Sequence, residues 1–337
     1  KTLQASGKSI TIVGATSGDT GSAAIEAFRG MEAVNVFILF PDNRISEVQR
    51  RQMTTPENPN VHAIAVEGDF DDCQARVKDL FNDFAFRDSV NLAGINSINW
   101  ARVLAQIVYY FFSAVSVGAP HQGVSFTVPT GNFGDVFAGY IAKCMGLPIE
   151  KLVVATNQND ILNRFFSSGK YEKKKVLPSI SPSMDIQVSS NFERALFYAC
   201  KRNSSIISQL MRELNEKNGF AVPDEILSAL LIHYVSGRAG EKETLETIRK
   251  TLELNNFLLC PHTATAVHVA NLIREPNTPM ITLATAHPAK FPDAVERATG
   301  LRPSLPERMG DIYARKERLL KVNNDLNEIK LLIKERI

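Results

Sequence analysis

The sequence predicts an α/β protein made of two parallel-sheet domains with a helical C-terminal tail. Three observations carry that expectation. Short apolar, β-branched runs alternate with stretches of helical periodicity, the pattern of parallel strands covered on both faces by their crossover helices. Two such runs, Ile10–Val13 and the one inside 124–132, lead into loops rich in Gly, Ser and Thr that open helices. The chain has 337 residues and is 44% hydrophobic, enough for about two domains with sizeable cores.

Along the chain, "ITIVGA" opens the series and a helix follows over about 20–30. "VNVFILF" (34–40) leads into a helix from about Ser46, and "VHAIAVEG" (61–68) into one over 71–81. "SINWARVLAQIVYYFFSAV" (97–115) has the apolar content of a buried helix. "VGAPHQG" (117–123) breaks helix and strand patterns together, so the domain change falls there. "VSFTVPTGN" (124–132) starts a second series, continued by "KLVVATN" (151–157) and "MITLATAH" (280–287), with a mostly helical and irregular stretch from about 160 to 255. The end, "IYARKERLLKVNNDLNEIKLLIKERI", reads as a charged amphipathic helix docked on the surface. The expected domains are 9–117 (smaller), 118–300 (larger) and the tail 301–337.

Lysine and arginine number 38 against 36 acidic residues, a net charge of +2. That balance argues against a dedicated nucleic-acid binder, and the run Lys173–Lys175 reads as a solvated loop. No apolar run reaches the length of a membrane span and no signal peptide is visible. Cys73, Cys144, Cys200 and Cys260 are scattered without a C-x-x-C pair, which excludes zinc-ribbon and thioredoxin-type readings and suits a reducing, cytoplasmic setting. The chain opens on lysine and enters a strand almost at once, so a further piece is expected upstream.

The loop Gly14–Gly21 is neither a Walker A motif, since Gly14 lacks the Gly-Lys pair five residues on and no lysine is near, nor a Rossmann fingerprint, given glycines at 14, 18 and 21, nor a nucleophile elbow. What remains is a loop carrying Thr16, Ser17 and Thr20 at a helix N-terminus, where the dipole favours an anion. The alternative is a strand-to-helix turn with Ser or Thr as N-cap. Gly131-Asn132-Phe133-Gly134-Asp135 repeats the logic on the second series: its glycines let backbone approach a ligand and successive N–H groups cradle a phosphate. Two such loops on two α/β units suggest a cleft between domains. Asn96, Ser97 and Arg102 suit phosphate or carboxylate oxygens, with a helix cap and a surface arginine as the alternative. Thr285 and His287 fall near the end of the last strand, with His262 in "CPHTATAV" a further candidate; each histidine alone reads as a hydrogen-bonded structural residue.

In order, "GATSGDTGSAA", "NSINWAR", "PTGNFGD" with "GLPIEKLVVATNQNDIL", "SPSMDIQVSSNFER", and "PHTA" with "TAHPAKF" resemble the threonine synthase family in its large bacterial and fungal form, from Ile10 to about Ala298. The resemblance implies a fold type II pyridoxal-phosphate enzyme, similar to the tryptophan synthase β-subunit, with the cofactor in a cleft between the domains. It implies conversion of O-phospho-L-homoserine and water into L-threonine and inorganic phosphate, by γ-elimination and β-addition of water. It places the cofactor phosphate on the backbone of Gly131, Asn132, Phe133 and Gly134, next to Asp135, and Thr285 at the pyridine nitrogen. Thr16, Ser17 and Thr20 match the seat of the substrate carboxylate, and Asn96, Ser97 and Arg102 the grip on the substrate phosphate. Many relatives of the fold have Asn where Asp19 stands; an ionised Asp cannot donate to the cofactor's ring oxygen, so Asp19 is expected to share a proton with it. The expected partner is the small-molecule substrate, with the chain a monomer.

Two departures accompany the resemblance. The family attaches its cofactor as a Schiff base to a lysine a few dozen residues before the "TSGDT" loop, whereas Lys1 and Lys8 lack that context and Lys290 belongs to another motif. The expectation is that the catalytic lysine lies upstream and that this chain alone is inactive. Cys260 stands where relatives often carry an acidic residue. Within the fold the alternatives are a dehydratase or phospho-lyase; outside enzymes, the alternative is an inactive module that binds phosphate-bearing ligands. A Ser/His/Asp hydrolase has no elbow motif to support it.

Overall fold

The computed structural model describes residues 7–16, 18–43, 45–96 and 98–337. Two of the expected site residues, Ser17 and Ser97, lie outside the described residues. The strands are β1 (Ile10–Ala15), β2 (Val34–Pro41), β3 (Val61–Val66), β4 (Leu92–Gly94), β5 (Val124–Pro129), β6 (Ile149–Thr156), β7 (Lys170–Glu172), β8 (Gly219–Ala221), β9 (Tyr234–Arg238), β10 (Met280–Thr282) and β11 (Leu319–Val322). Two compact units result: Lys1–Asn96 with Ser304–Ile337, and Ser97–Pro303.

The first unit holds a parallel sheet in the order β11-β3-β2-β1-β4. Alternate residues of a strand face opposite sides, and here both sides are covered. Ile12, Val36, Ile38 and Phe40 pack with Ala24, Ile25 and Met53 of the helices Asp19–Phe28 and Glu47–Thr54. Val13, Phe37 and Leu39 pack with Cys73 and Leu80 of helix Phe70–Asn82 and with Ile329 and Ile333 of helix Leu326–Lys334. That coverage explains why these strands read as continuous apolar runs.

The C-terminal segment is not a single helix. Leu319–Val322 pairs in parallel with Ala63–Val66 as an edge strand. The helix begins only at Leu326, after Asp325 accepts from the Glu328 N–H at 2.8 Å as its N-cap. Glu317 fixes the approach: it pairs with Arg50 at 3.1 Å and accepts from the Thr54 hydroxyl at 2.7 Å. Residues 304–337 therefore complete the first unit, where the sequence suggested an appended tail.

The second unit holds a parallel sheet in the order β10-β5-β6-β9 and a small antiparallel pair, β7-β8. Phe126, Val128, Leu152, Val154 and Tyr234 form its larger core with Tyr110, Phe137 and Leu196. Val153 and Ala155, facing the other way, pack under Ala266 and Val269 of helix Pro261–Ile273. β9, "YVSGR", lies in the stretch expected to be helical and irregular; its brevity and its Ser-Gly-Arg end hide it from a periodicity reading. β10 stops at Thr282, well short of the run to His287, because the Leu283 N–H makes the last bond to the β5 backbone, at Thr127.

The helix Trp100–Ser116 belongs to this second unit, so the unit boundary precedes it rather than following it at 117. Val103, Ile107, Tyr110 and Ala114 form its buried stripe, and the Tyr110 ring lies 4.7 Å from that of Phe126. The opposite stripe, Leu104, Val108, Phe112 and Val115, is exposed, Phe112 to 75%. The helix is thus covered on one face, not all round.

His62 on β3 stacks on Phe37 with ring centroids 4.5 Å apart, and its Nε2 meets no hydrogen-bond partner among the described residues. Burial, then the charges of Arg336 and Arg318, push its pKa down to about 4. The unfolded chain takes up this proton near the ordinary 6.5, so the contribution to stability is full above 6.5 and is lost as pH falls toward 4. Urea unfolding at pH 7 and pH 5 should show His62→Phe losing about 2 kcal/mol less stability over that interval than the parent chain.

Candidate active site

The loop after β5 is held at its start by Thr130 and at its end by the turn at Phe133. Thr130 anchors its start, donating from N–H to the Ala155 carbonyl at 2.8 Å and from Oγ1 to the Val128 carbonyl at 2.7 Å. Phe133 adopts the left-handed conformation at φ 64° as the N-cap of helix Gly134–Cys144. Such a conformation is unfavourable for a bulky residue. Its ring, 1% exposed, is held among Phe166, Phe192 and Tyr234. Position 131 requires glycine: a Cβ there would sit 2.7 Å from the Ser183 carbonyl oxygen.

The carbonyls of this loop are tied back. Gly131 O accepts from Ser189 Oγ at 2.6 Å. Asn132 O accepts from both the N–H of Asn191 at 2.9 Å and its Nδ2 at 3.1 Å. The N–H groups of Gly131, Asn132, Phe133 and Gly134 meet no acceptor among the described residues. Four consecutive donors at a helix N-terminus are able to cradle an anion such as a phosphate.

The segment that ties them back is itself pinned. Asp185 accepts from Ser179 N and Oγ, Asn157 Nδ2 and Asn159 Nδ2, all at 2.6–2.8 Å. Burial raises its pKa and these bonds oppose the rise. It fastens the 179–185 turn to the end of β6. Arg194, one helical turn after Asn191, donates from Nε to Asn191 Oδ1 at 3.2 Å and from Nη2 to the Ile98 carbonyl at 2.9 Å. The sequence reading gave neither residue a role; an acidic residue among Ser and Asn is the only local signal for Asp185.

Asp135 was expected beside the cofactor. Its Oδ1 instead accepts from the Tyr109 hydroxyl at 2.6 Å and the Tyr110 hydroxyl at 2.9 Å, and its carbonyl also accepts from Tyr110. It therefore fastens helix Trp100–Ser116 to helix Gly134–Cys144. Burial pushes its pKa up to about 6 against the pull of the two phenols. Burial and the carboxylate raise both phenols, Tyr110 far above its usual range.

Thr285 follows β10 and is exposed; its N–H donates to Thr263 Oγ1 at 3.3 Å. Cys260 caps the helix of Thr263, its sulfur accepting from the Thr263 N–H at 3.4 Å. Cys260 thus does an N-cap's work. His262 Nε2 accepts from Ser183 N at 3.1 Å and His287 Nδ1 from Ala289 N at 3.2 Å, the structural roles expected of them. Arg102 lies in the first turn of helix Trp100–Ser116, which Asn99 caps through the Ala101 N–H at 2.9 Å. So Asn99, rather than Asn96 or Ser97, is the cap.

In the first unit, the Thr16 hydroxyl accepts from Gly18 N at 2.9 Å and Gly21 N at 3.0 Å, closing the loop onto helix Asp19–Phe28. Its O–H proton is the part that can serve a ligand. Thr20 lies in the first turn of that helix. Asp19 Oδ1 accepts from Gln49 Nε2 at 3.1 Å, a partner the sequence did not suggest. Gly18, at φ 137°, leaves the space that the Gln49 side chain fills; a Cβ would come within 2.5 Å of it.

A family model described as pyridoxal-phosphate dependent enzyme matches residues 2–223, and one described as threonine synthase, C-terminal, matches 263–333. A threonine synthase of Pseudomonas aeruginosa is 49% identical over 331 residues, covering 98% of this chain and 71% of its own length. That of Saccharomyces cerevisiae is 44% identical, covering 98% and 70%. The crystal structure of a pyridoxal-phosphate-bound threonine synthase from Brucella melitensis matches with a TM-score of 0.95 at 52% identity, over 99% of this chain and 72% of that one.

Because the folded pKa of Asp135 lies above the unfolded value, its contribution to stability is full below about pH 4 and is lost as pH rises through about 6. Asp135→Asn keeps the acceptor and removes the titration. Urea unfolding of both proteins should show the parent gaining about 1 kcal/mol on the variant between pH 7 and pH 5.

Proposed function

The chain belongs to the threonine synthase family of pyridoxal-phosphate-dependent lyases, and from that membership we propose that it holds the cofactor phosphate on Gly131–Gly134 and acts on O-phospho-L-homoserine. The supporting observation is the cradle: four amides without acceptors among the described residues, their carbonyls tied back by Ser189 and Asn191. The cofactor's phosphate has the charge and the oxygens this cradle lacks.

The substrate has a carboxylate at one end and a phosphate at the other, and the cofactor brings a second phosphate. Three donor sets answer them. The amides of 131–134 take the cofactor phosphate. Thr16, Ser17 and Thr20, at the start of helix Asp19–Phe28, take the carboxylate, with the dipole favouring the anion. Asn96, Ser97 and Arg102, where helix Trp100–Ser116 begins, take the substrate phosphate, Arg102 through a fork of donors suited to it. This grip also steadies the phosphate as it leaves Cγ, before water adds at Cβ. When bound, the cofactor supplies the electron sink that makes proton loss from Cα and Cβ feasible. Thr285 serves the pyridine nitrogen with a neutral hydroxyl, so that nitrogen stays largely unprotonated. No proton-transfer role is assigned to Lys8 or Lys290. The four cysteines, all free, support a cytoplasmic setting.

Asp19 shares a proton with the cofactor's ring oxygen while Gln49 holds its other flank. Asp19→Asn should shift the absorption maximum of bound pyridoxal phosphate; an unchanged spectrum removes Asp19 from contact with the ring. Calorimetric titration with pyridoxal phosphate should find one site, and Gly131→Ala, which drives a methyl into Ser183 O, should weaken it at least about tenfold. Unaltered affinity in that variant would place the cofactor phosphate elsewhere.

A further inference from the structure

Arg194 connects two elements assigned separate tasks above. Through Nε it holds Asn191 Oδ1 at 3.2 Å, and Asn191 in turn donates twice to the Asn132 carbonyl of the cradle. Through Nη2 it holds the Ile98 carbonyl at 2.9 Å, and its guanidinium lies 5.6 Å from the centroid of the Trp100 ring. Ile98 and Trp100 stand between Ser97 and Arg102 in the chain. The bridge from one phosphate loop to the other is thus two side chains long, and one of them, Asn191, is wholly buried.

We propose that Arg194 is a positioning residue that locks the segment Ile98–Arg102, at the start of the substrate-phosphate helix, to the cofactor-phosphate cradle 131–134, so that the two grips tighten together. The inference rests on the assignment of those two loops. Arginine suits the task for two physical reasons. Its rigid fork reaches two acceptors and an aromatic face at once, which the single ammonium of lysine does not. Its hydrogen bonds go to an amide oxygen and a backbone carbonyl rather than to a carboxylate, so it adds a positive potential near two phosphates without touching either. The lock acts on the first turn of helix Trp100–Ser116 alone. Further along, Tyr109 and Tyr110 fasten the same helix to Asp135, and loss of Arg194 leaves that attachment intact.

The test uses two affinities and no turnover. One is that of the protein for pyridoxal phosphate, by fluorescence titration. The other is that of the cofactor-saturated protein for an unreactive phosphonate analogue of O-phosphohomoserine, by calorimetry. Arg194→Ala should weaken both by about tenfold, and adding Asn191→Ala should then cost little more, since both act on one path. Arg102→Ala should weaken the phosphonate only. An Arg194→Ala protein that loses phosphonate affinity alone makes Arg194 a direct ligand and overturns the proposal, as does one that loses neither. Full rescue by Arg194→Lys overturns it too, because charge alone would then suffice. Should Arg194→Ala fail to fold, Trp100→Leu takes its place, with both affinities expected to fall about threefold and no change counting against the lock. Failure of the underlying assignment shows separately, as unaltered pyridoxal phosphate affinity in Gly131→Ala.

Discussion

The structure of the second unit depends on a backbone constraint: four successive amides, 131–134, meet no acceptor among the described residues, while the carbonyls of Gly131 and Asn132 are satisfied by the segment 189–191. A buried carbonyl without a partner costs as much as a lost hydrogen bond. Ser189 and Asn191 meet that need at Gly131 and Asn132. Phe133 completes the turn in a left-handed conformation that costs about 1–2 kcal/mol in an L-residue. Burying its ring against Phe166, Phe192 and Tyr234 returns a comparable or larger amount, about 2–3 kcal/mol. The strained residue is thus held by the core, and the core is why the loop keeps its shape before any ligand arrives.

Electrostatics around the cradle is arranged at one remove. A carboxylate at position 135 sits on the same helix N-terminus that is proposed to receive a phosphate, and left ionised and facing the loop it would repel it. The two phenols of helix Trp100–Ser116 take it instead. That bond network fastens two helices, and burial raises the carboxyl toward neutrality. Asp185 follows the same logic with four donors and secures the segment from which Ser189 and Asn191 project. Neither acid need touch a ligand to decide where the amides point.

The first unit shows a different economy. One threonine hydroxyl, at position 16, gathers the Gly18 and Gly21 amides and so builds the loop proposed to take the substrate carboxylate. Its sheet is closed by a strand from the far end of the chain, paired to β3 and braced by Glu317 against Arg50 and Thr54. The expected tail is therefore part of the scaffold that carries the first anion loop. Its strand escaped notice because four residues, Leu-Leu-Lys-Val, are too few to stand out beside an amphipathic helix.

By itself the sequence determined the α/β class, both strand–loop–helix units, and the glycines of their loops. These are local requirements: strands buried on both faces leave apolar runs, and tight loops leave Gly, Ser and Thr at short spacing. The ordered motifs carried the family as well. Tertiary structure alone decided what each loop leans on. Ser189 lies 58 residues from Gly131 and Arg194 lies 96 from Ile98, and no periodicity records such pairs. It also decided that Asp135 faces two tyrosines, that Cys260 caps a helix, and that Trp100–Ser116 belongs with the strands after it. A side chain's partner is set by which elements pack together, and that follows from burying both faces of each sheet at once, a condition on the whole chain rather than on any stretch of it.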